Sequence, residues 1–333
     1  MNIKDIALLA ETSVATVSRV INLDERVAEK TRQRVLEVME STGYKPELVG
    51  RALLGQQKGK ILVLLPTMAN PLFARVLAGV EHRASANGYD VLICNTHRDY
   101  DIEKRYLNMV RANQLDGAIL LTAAASDEEL DAFAALNPLV QCCSRSLGGH
   151  ISYTCIDDEA AAFEATNYLI GLGNQRIGLI NGNFDRKYEI EREKGYRRAL
   201  ESNKIKFLRQ YLGESDYNLY DGYDACRRLM ELEHPPTALF CSSDQLACGV
   251  MKYVMEHGKR PGVDVDIVGF DGTYIAELCT PSITSIEQPG YEMGKTSFDL
   301  LLERIQDKEA IVKRVVMAYK LVRRGSTKEC AAE

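Results

Sequence analysis

The chain has 333 residues, 46% hydrophobic and 26% charged, the balance of a folded protein with a sizeable core. At roughly 100–200 residues per domain, it has room for two or three compact units. A net charge of −6 argues against a protein coated in nucleic acid, and apolar runs such as Ile61–Leu65 fall far short of the roughly 20 residues of a membrane span. The charge is uneven: residues 1–60 carry ten Lys/Arg against eight Asp/Glu, while the remainder carries 31 against 39. A small, mildly basic head on an acidic body is compatible with local DNA contact. No charged–apolar–small-residue leader opens the sequence, so a cytoplasmic chain is expected.

Residues 1–45 read as all helix. Ile6, Ala7 and Ala10 make one apolar stripe, and Val17, Val20 and Ile21 make another, with Ser13 as N-cap of the second helix. A third helix is predicted from Val27 to Thr42, stopped by Gly43. "YKPELVGRALLGQQKGK" then supplies a proline, a short helical stretch and a Gly/Gln/Lys linker that ends at Lys60.

From Lys60 the period changes. "KILVLLP", "YDVLIC", "DGAILLT" and "LVQCC" read as buried strands, alternating with helices over 72–87, 102–113 and 127–136. The rhythm repeats: "RIGLING", "ALFCSSD", "DIVGFD" and "SITSIEQP" alternate with helices over 188–202, 220–231, 245–257 and 291–305. Two doubly wound lobes fit this better than one very wide sheet, and a cleft between them would let strand C-termini from both sides meet a small ligand. Nine scattered cysteines, with Cys94, Cys241 and Cys248 in apolar stretches, read as buried free thiols. No C-x-x-C pair and no His/Cys spacing points to a metal, and no sequence feature calls for a cofactor. "STKECAAE" reads as a polar tail without leucine heptads.

The first two helices have the small contacts, Ala7 and Ala10, that a helix-turn-helix crossing needs. The second carries Thr16, Ser18, Arg19 and Asn22, donors suited to phosphates and base edges. An ordinary helical hairpin packed on the body has the same pattern. The linker adds a second signal. "PELVGRALL" makes little more than two helical turns, too few to be stable alone. Arg51 offers it a phosphate partner, and Leu53 and Leu54 suit a minor-groove wedge.

"IKDIALLAETSVATVSRVIN", "VAEKTRQRVLEVMESTGYKP" and "GRALL" resemble the headpiece and hinge of the lac repressor/galactose repressor family of bacterial transcription regulators. "NPLF", "GYDVLI", "DGAILL", "RIGLING", "TALFCSSDQLACGV", "DIVGFDG" and "SITSIEQP" are similar to its body in the same order. The likeness runs from residue 2 to about residue 325 and is nearest to the cytidine-regulator and purine-repressor branch. It implies an α/β chain: a helix-turn-helix DNA-binding headpiece over 1–45, a hinge helix and linker over 46–59, and a two-lobed, periplasmic-binding-protein-like effector and dimerisation region over 60–333, with doubly wound parallel sheets. It also implies a nucleoid-associated repressor that binds operator DNA as a homodimer, controlled by a sugar, nucleoside or base.

By the resemblance, Val14, Ala15, Thr16, Ser18, Arg19 and Asn22 face the major groove, Thr31 holds phosphate, and Leu53 matches the family's wedge. Phe73 lines the effector cleft, Arg186 and Arg192 grip polar effector groups, and Tyr217 stacks on a sugar or base. Asp271, at a strand C-terminus, can accept two hydroxyl hydrogen bonds there. The arginines and Asp271 also have plainer readings: surface ion pairs with Glu189, Glu191 or Glu193 for the arginines, and an N-cap before Gly272 for Asp271. Asp244 reads as a cap for the next helix. Glu47, Gly50 and Leu54 depart from the family's hinge, and glycine in a helix interior costs about 1 kcal/mol.

Two other classes remain open at this stage. A solute-binding receptor could use the body alone, and an α/β enzyme could carry a helical appendage. Against the enzyme, there is no G-x-S-x-G elbow, G-x-G-x-x-G turn or P-loop.

Overall fold

The computed structural model describes residues 3–21, 24, 26–42, 59–146, 148–182, 186–215 and 218–328. The chain divides into two compact units, Met1–Gly59 and Lys60–Glu333.

The first unit holds α1 (Ile3–Leu9), α2 (Val14–Ile21) and α3 (Glu29–Thr42). The Ser13 hydroxyl accepts the Thr16 backbone N–H at 3.1 Å, the capping contact that opens α2. Ile6, Ala7, Ala10, Val17, Val20 and Val35 form a small buried core, so the alanines sit where the helices come closest. The third helix begins at Glu29 and not at Val27. The Asp24 carboxylate accepts both the Arg26 backbone N–H (3.0 Å) and its guanidinium (2.9 and 2.7 Å), and the Val27 N–H bonds the Asp24 carbonyl at 3.2 Å. Val27 therefore closes a turn and packs sideways onto the core. The hinge residues Glu47, Gly50, Arg51, Leu53 and Leu54, and the helix stop at Gly43, lie outside the described residues.

The second unit begins with β1 (Gly59–Leu65), α4 (Pro71–Ala86), β2 (Tyr89–Asn95), α5 (Tyr100–Arg111), β3 (Gly117–Leu120), α6 (Asp127–Ala134), β4 (Leu139–Cys142) and β5 (Ser152–Cys155). A second set follows: α7 (Asp158–Gly171), β6 (Ile177–Asn181), α8 (Lys187–Ser202), β7 (Leu212–Glu214), α9 (Leu219–Met230), β8 (Ala238–Cys241), α10 (Asp244–Glu256), β9 (Asp266–Asp271), α11 (Tyr274–Leu278) and β10 (Thr284–Glu287). The chain then returns through α12 (Gly290–Gln306) to β11 (Arg314–Val316) and ends at β12 (Lys320–Val322).

Two six-stranded sheets result, ordered β11-β5-β4-β3-β1-β2 and β12-β10-β9-β8-β6-β7. β12 runs antiparallel to β10, while β3, β4 and β5, and β6, β8, β9 and β10, pair in parallel along their sheets. The two lobes thus share a strand order, and each sheet reverses direction of winding at the strand next to one edge, β1 or β6. Fully buried parallel strands such as Ile177–Asn181 explain the unbroken apolar runs. α12 packs on α4 at glycine positions: a Cβ on Gly294 would lie 2.0 Å from the Val76 carbonyl oxygen. That contact ties the returning chain to the first lobe.

Several elements are not legible as apolar runs. β11 and β12 are half exposed, and α7 buries small residues, Ala161, Ala162 and Ala165, instead of a leucine stripe. The start of the polar C-terminal stretch is anchored to the body. The Ser326 hydroxyl donates to the Ile267 carbonyl at 2.6 Å and accepts the Thr284 N–H at 2.8 Å, and the Lys328 N–H reaches Asp266 at 2.8 Å. Through Lys328 these residues are bound to the second lobe, because their small side chains satisfy strand-end backbone groups. The thiols differ from expectation as well. Cys142, Cys155, Cys226 and Cys241 are buried, but Cys94, Cys143, Cys248 and Cys279 are partly exposed.

Candidate functional site

In the first unit, α2 turns Val17 and Val20 into the core. Val14, Ala15, Ser18 and Arg19 stand at helical spacing on the opposite side. Val14 is 40% exposed, Ala15 and Arg19 are exposed, and Ser18 is half-buried. Thr16 lies at the flank, its hydroxyl 2.8 Å from that of Ser13, and Thr31 is half-buried in the first turn of α3. Val14, Ala15 and Arg19 therefore stand on a face turned away from the core. Asn22 lies outside the described residues.

In the second unit, loops leaving the C-terminal ends of strands from both lobes line one cleft: Pro66 and Thr67 after β1, Thr122 after β3, Cys143 after β4, Ser242 after β8 and Asp271 at the end of β9. Ligands of doubly wound sheets bind at such switch points. Three non-glycine residues of this lining hold a left-handed backbone, Arg98 (φ 62°), Cys143 (φ 62°) and Asp271 (φ 102°). Strain of this kind is stored where a site over-determines its geometry.

Phe73 enters the cleft from the first turn of α4, placed by its N-cap Asn70 and by Pro71. Asn70 does two things. Its Oδ1 accepts the Leu72 N–H at 2.9 Å, and its Nδ2 donates to Asp271 Oδ2 of the other lobe at 2.9 Å. Gln288 Nε2 donates to Asp271 Oδ1 at 2.8 Å. Asp271 is not a helix cap, since Thr273 occupies that place before α11. Burial raises its pKa, while Arg192 and the two amides oppose the rise.

Arg192 is buried, and neither Glu189, Glu191 nor Glu193 is its carboxylate partner. Its Nε donates to Asp158 Oδ1 at 2.8 Å, its Nη1 to the Ser242 carbonyl at 2.5 Å, and its guanidinium lies 3.7 Å over the Phe270 ring. The carboxylates expected to hold it are taken: Glu191 by Arg145 of the first lobe at 2.8 Å, and Glu193 by Arg197. Burial pushes the Asp158 carboxyl up to about 6 even with Arg192 beside it. Arg186 sits at the start of α8, where Glu189 accepts its backbone N–H and its guanidinium reaches the Ala123 carbonyl across the cleft at 3.2 Å.

The expected cap Asp244 proves to be a brace. Ser243 caps α10, and the buried Asp244 carboxylate accepts the Thr273 N–H (2.6 Å), the Thr273 hydroxyl (2.9 Å) and the Ser285 hydroxyl (2.6 Å). Desolvation, with Asp271 nearby, pushes it up to about 7. It fixes the turn that carries Asp271.

Phe73, Arg192 and Asp271 thus meet in one cleft, and Arg186 lines an adjoining cavity with Thr122, Gln141 and Lys187. Tyr217 lies outside the described residues. Bonds across the cleft, including Gln245 to the Ala69 carbonyl at 3.0 Å, leave about 40 Å³ of room in it, against about 380 Å³ in the cavity beside it. The sequence reading missed Asn70, Thr122, Asp158, Ser242, Gln245 and Gln288. A position just past a strand end marks Thr122 and Ser242, whereas the pairing of Arg192 with Asp158 is a tertiary contact that no local pattern announces.

Known proteins share this architecture. A profile for a periplasmic binding protein-like domain matches residues 166–327, and one for bacterial regulatory proteins of the lacI family matches residues 2–47. The HTH-type transcriptional repressor CytR of Escherichia coli (strain K12) is 33% identical over 326 residues, which cover 98% of this chain and 96% of that protein. Among solved structures, a complex of the transcriptional regulator CelR with cellobiose superposes with a TM-score of 0.73 at 28% identity, covering 98% of this chain and 99% of the other. A lac repressor dimer bound to operator and the anti-inducer ONPF superposes at 0.76 with 26% identity, covering 99% of each. With a relative this similar along nearly its whole length, the chain belongs to the lacI family of bacterial regulatory proteins.

Proposed function

We propose that the exposed face of α2 reads half of a two-fold operator, and that the cleft takes a small sugar- or nucleoside-like effector which sets the affinity for that operator. In this reading residues 1–45 are the headpiece, 46–59 the hinge and 60–333 the effector-binding and dimerising region of a cytoplasmic repressor without a catalytic step. Asp271 carries the assignment of the cleft. It is a buried carboxylate on strained backbone, held by neutral amide donors that ligand hydroxyls can replace one for one. Phe73 supplies an apolar face for a ring, and the Arg192 guanidinium, held by Asp158 and the Ser242 carbonyl, sets a positive charge at the cleft wall.

A headpiece reads one half-site, so paired half-sites require two copies related by a two-fold axis, as in the lac repressor dimer bound to operator. The effector acts through unequal affinity for two lobe arrangements. Random-site selection followed by gel shifts tests the first half of this reading. A thermal-shift screen of sugars, nucleosides and bases tests the second, because a ligand present at 100 times its Kd stabilises the folded form by about 2.7 kcal/mol. We expect an enriched palindrome and a stabilising ligand that alters its gel shift. Failure to enrich any palindrome, or a ligand that binds without altering the shift, contradicts the reading.

A further inference from the structure

Cys248 and Cys279 come from separate elements, α10 and the end of α11, yet their sulfurs lie 3.6 Å apart. Both are partly exposed, at the wall of a surface groove of about 320 Å³ that also holds Met251, Lys252, Met255, Glu256 and Thr280. The neighbouring charges cancel, since Lys252 and Glu256 pair with one another. The Cys142–Cys143 pair, with sulfurs 3.7 Å apart, is less suited to chemistry. Its members are adjacent in sequence, Cys142 is fully buried, and a bond between them would close a strained eight-membered ring.

We propose that Cys248 and Cys279 are a peroxide-oxidisable dithiol, whose disulfide staples α10 to the end of α11 and thereby fixes the second-lobe wall of the cleft. Cys248 is the attacking sulfur, because the Cys279 thiol donates a hydrogen bond to it. That bond lowers the Cys248 thiol and raises the Cys279 thiol, which favours the thiolate on Cys248. In the first step the Cys248 thiolate attacks a hydroperoxide oxygen. An S–O bond forms, the O–O bond breaks, and the departing hydroxide takes up the proton Cys248 had released to become water. In the second step the Cys279 sulfur attacks Cys248. The S–S bond forms, the S–O bond breaks, and the leaving hydroxide takes the Cys279 proton as a second water. Two thiols lose two electrons in all, and one hydroperoxide gains them.

The elements that this bond joins are those that shape the cleft. The first turn of α10 holds Asp244, which braces Thr273, and Gln245, which bonds Ala69 of the first lobe. α11 starts immediately after Thr273, two residues beyond Asp271. A bond between the second turn of α10 and the end of α11 removes their freedom to separate. Its effect on ligand affinity rests on the effector reading above, whereas the chemical step does not.

The test treats the purified full chain with hydrogen peroxide, alkylates the remaining thiols and maps peptides without reduction. We expect a Cys248–Cys279 linked peptide, lost on adding dithiothreitol, with a Tm rise of about 5–10 °C. Cys248→Ser and Cys279→Ser each remove the link and the Tm rise, while Cys94→Ser keeps both. Oxidised wild type is then expected to show a several-fold change in Kd for whichever sugar or nucleoside the thermal screen identifies, absent in Cys279→Ser. Three results overturn the site: both thiols staying reduced in the folded chain, Cys248 linked to a different cysteine, or Cys248 linked to a second copy. A formed link with unchanged ligand Kd overturns the coupling to the cleft and leaves the effector reading intact. Absence of any binding ligand with the link formed strikes the effector reading instead.

Discussion

The two candidate sites are built on opposite principles. On α2 the chemistry stands outside the core: Val14, Ala15, Ser18 and Arg19 face away from Val17 and Val20. In the cleft the chemistry is part of the interior. Arg192, Asp158, Asp244 and Asp271 are all buried and hold one another or the backbone around them. A surface reader can be exchanged freely, so a head of this kind can change the sequence it reads without losing its fold. A buried polar site cannot be changed without disturbing stability as well, because each lone group left behind is desolvated and unpaired.

The largest effect is expected at Arg192. Arg192→Ala strands the Asp158 carboxylate, so a loss of about 3–5 kcal/mol is expected in urea unfolding, together with loss of any effector-induced thermal shift. Next comes the core of the head. Val17→Ala removes two buried carbons from a cluster of six residues and costs about 2 kcal/mol. Gel shifts should weaken sharply while the calorimetric transition of residues 60–333 stays in place. Arg19→Ala is the surface counterpart. It should lower operator affinity by about 10–100-fold, one bidentate base contact, with no measurable change in Tm.

The last effect is one of pH. Burial raises Asp244 to about 7 in the folded chain, above its ordinary value of 3.8 in the unfolded one. Between those values the folded chain keeps a proton that the unfolded chain has released. Stability from this group is therefore present below about pH 4, falls as pH rises to about 7 and is flat above. Wild type minus Asp244→Asn in thermal melts from pH 4 to 8 should isolate that slope. A difference that does not vary with pH removes the buried carboxyl from the account.

These contrasts also explain what the sequence disclosed. The head was legible because its few buried positions recur at helical spacing, and Ser13 marks the start of α2 by its own chemistry. The apolar strands were legible for the same reason. Asp271 could be placed in a cleft because it stands at a strand end facing a switch point, whereas Phe73 is placed there only by the family resemblance. What escaped depends on partners far away in the chain. Asp244 was read as a local cap, but its carboxylate is claimed by Thr273 and Ser285. Arg192 was weighed against nearby glutamates, but its partner is Asp158, 34 residues earlier. The short strands β11 and β12 carry no apolar run, since their edges face outward.

The central claim is that buried polar groups of the cleft answer the effector, while an exposed face elsewhere reads DNA. The most direct measurement titrates operator binding by wild type and Asp271→Asn, each with and without the stabilising sugar or nucleoside. Asparagine keeps the size of the side chain but replaces one acceptor oxygen by a donor. The variant is expected to bind operator within about twofold of wild type and no longer to respond to the ligand. A variant that responds at the same ligand concentration as wild type contradicts this claim.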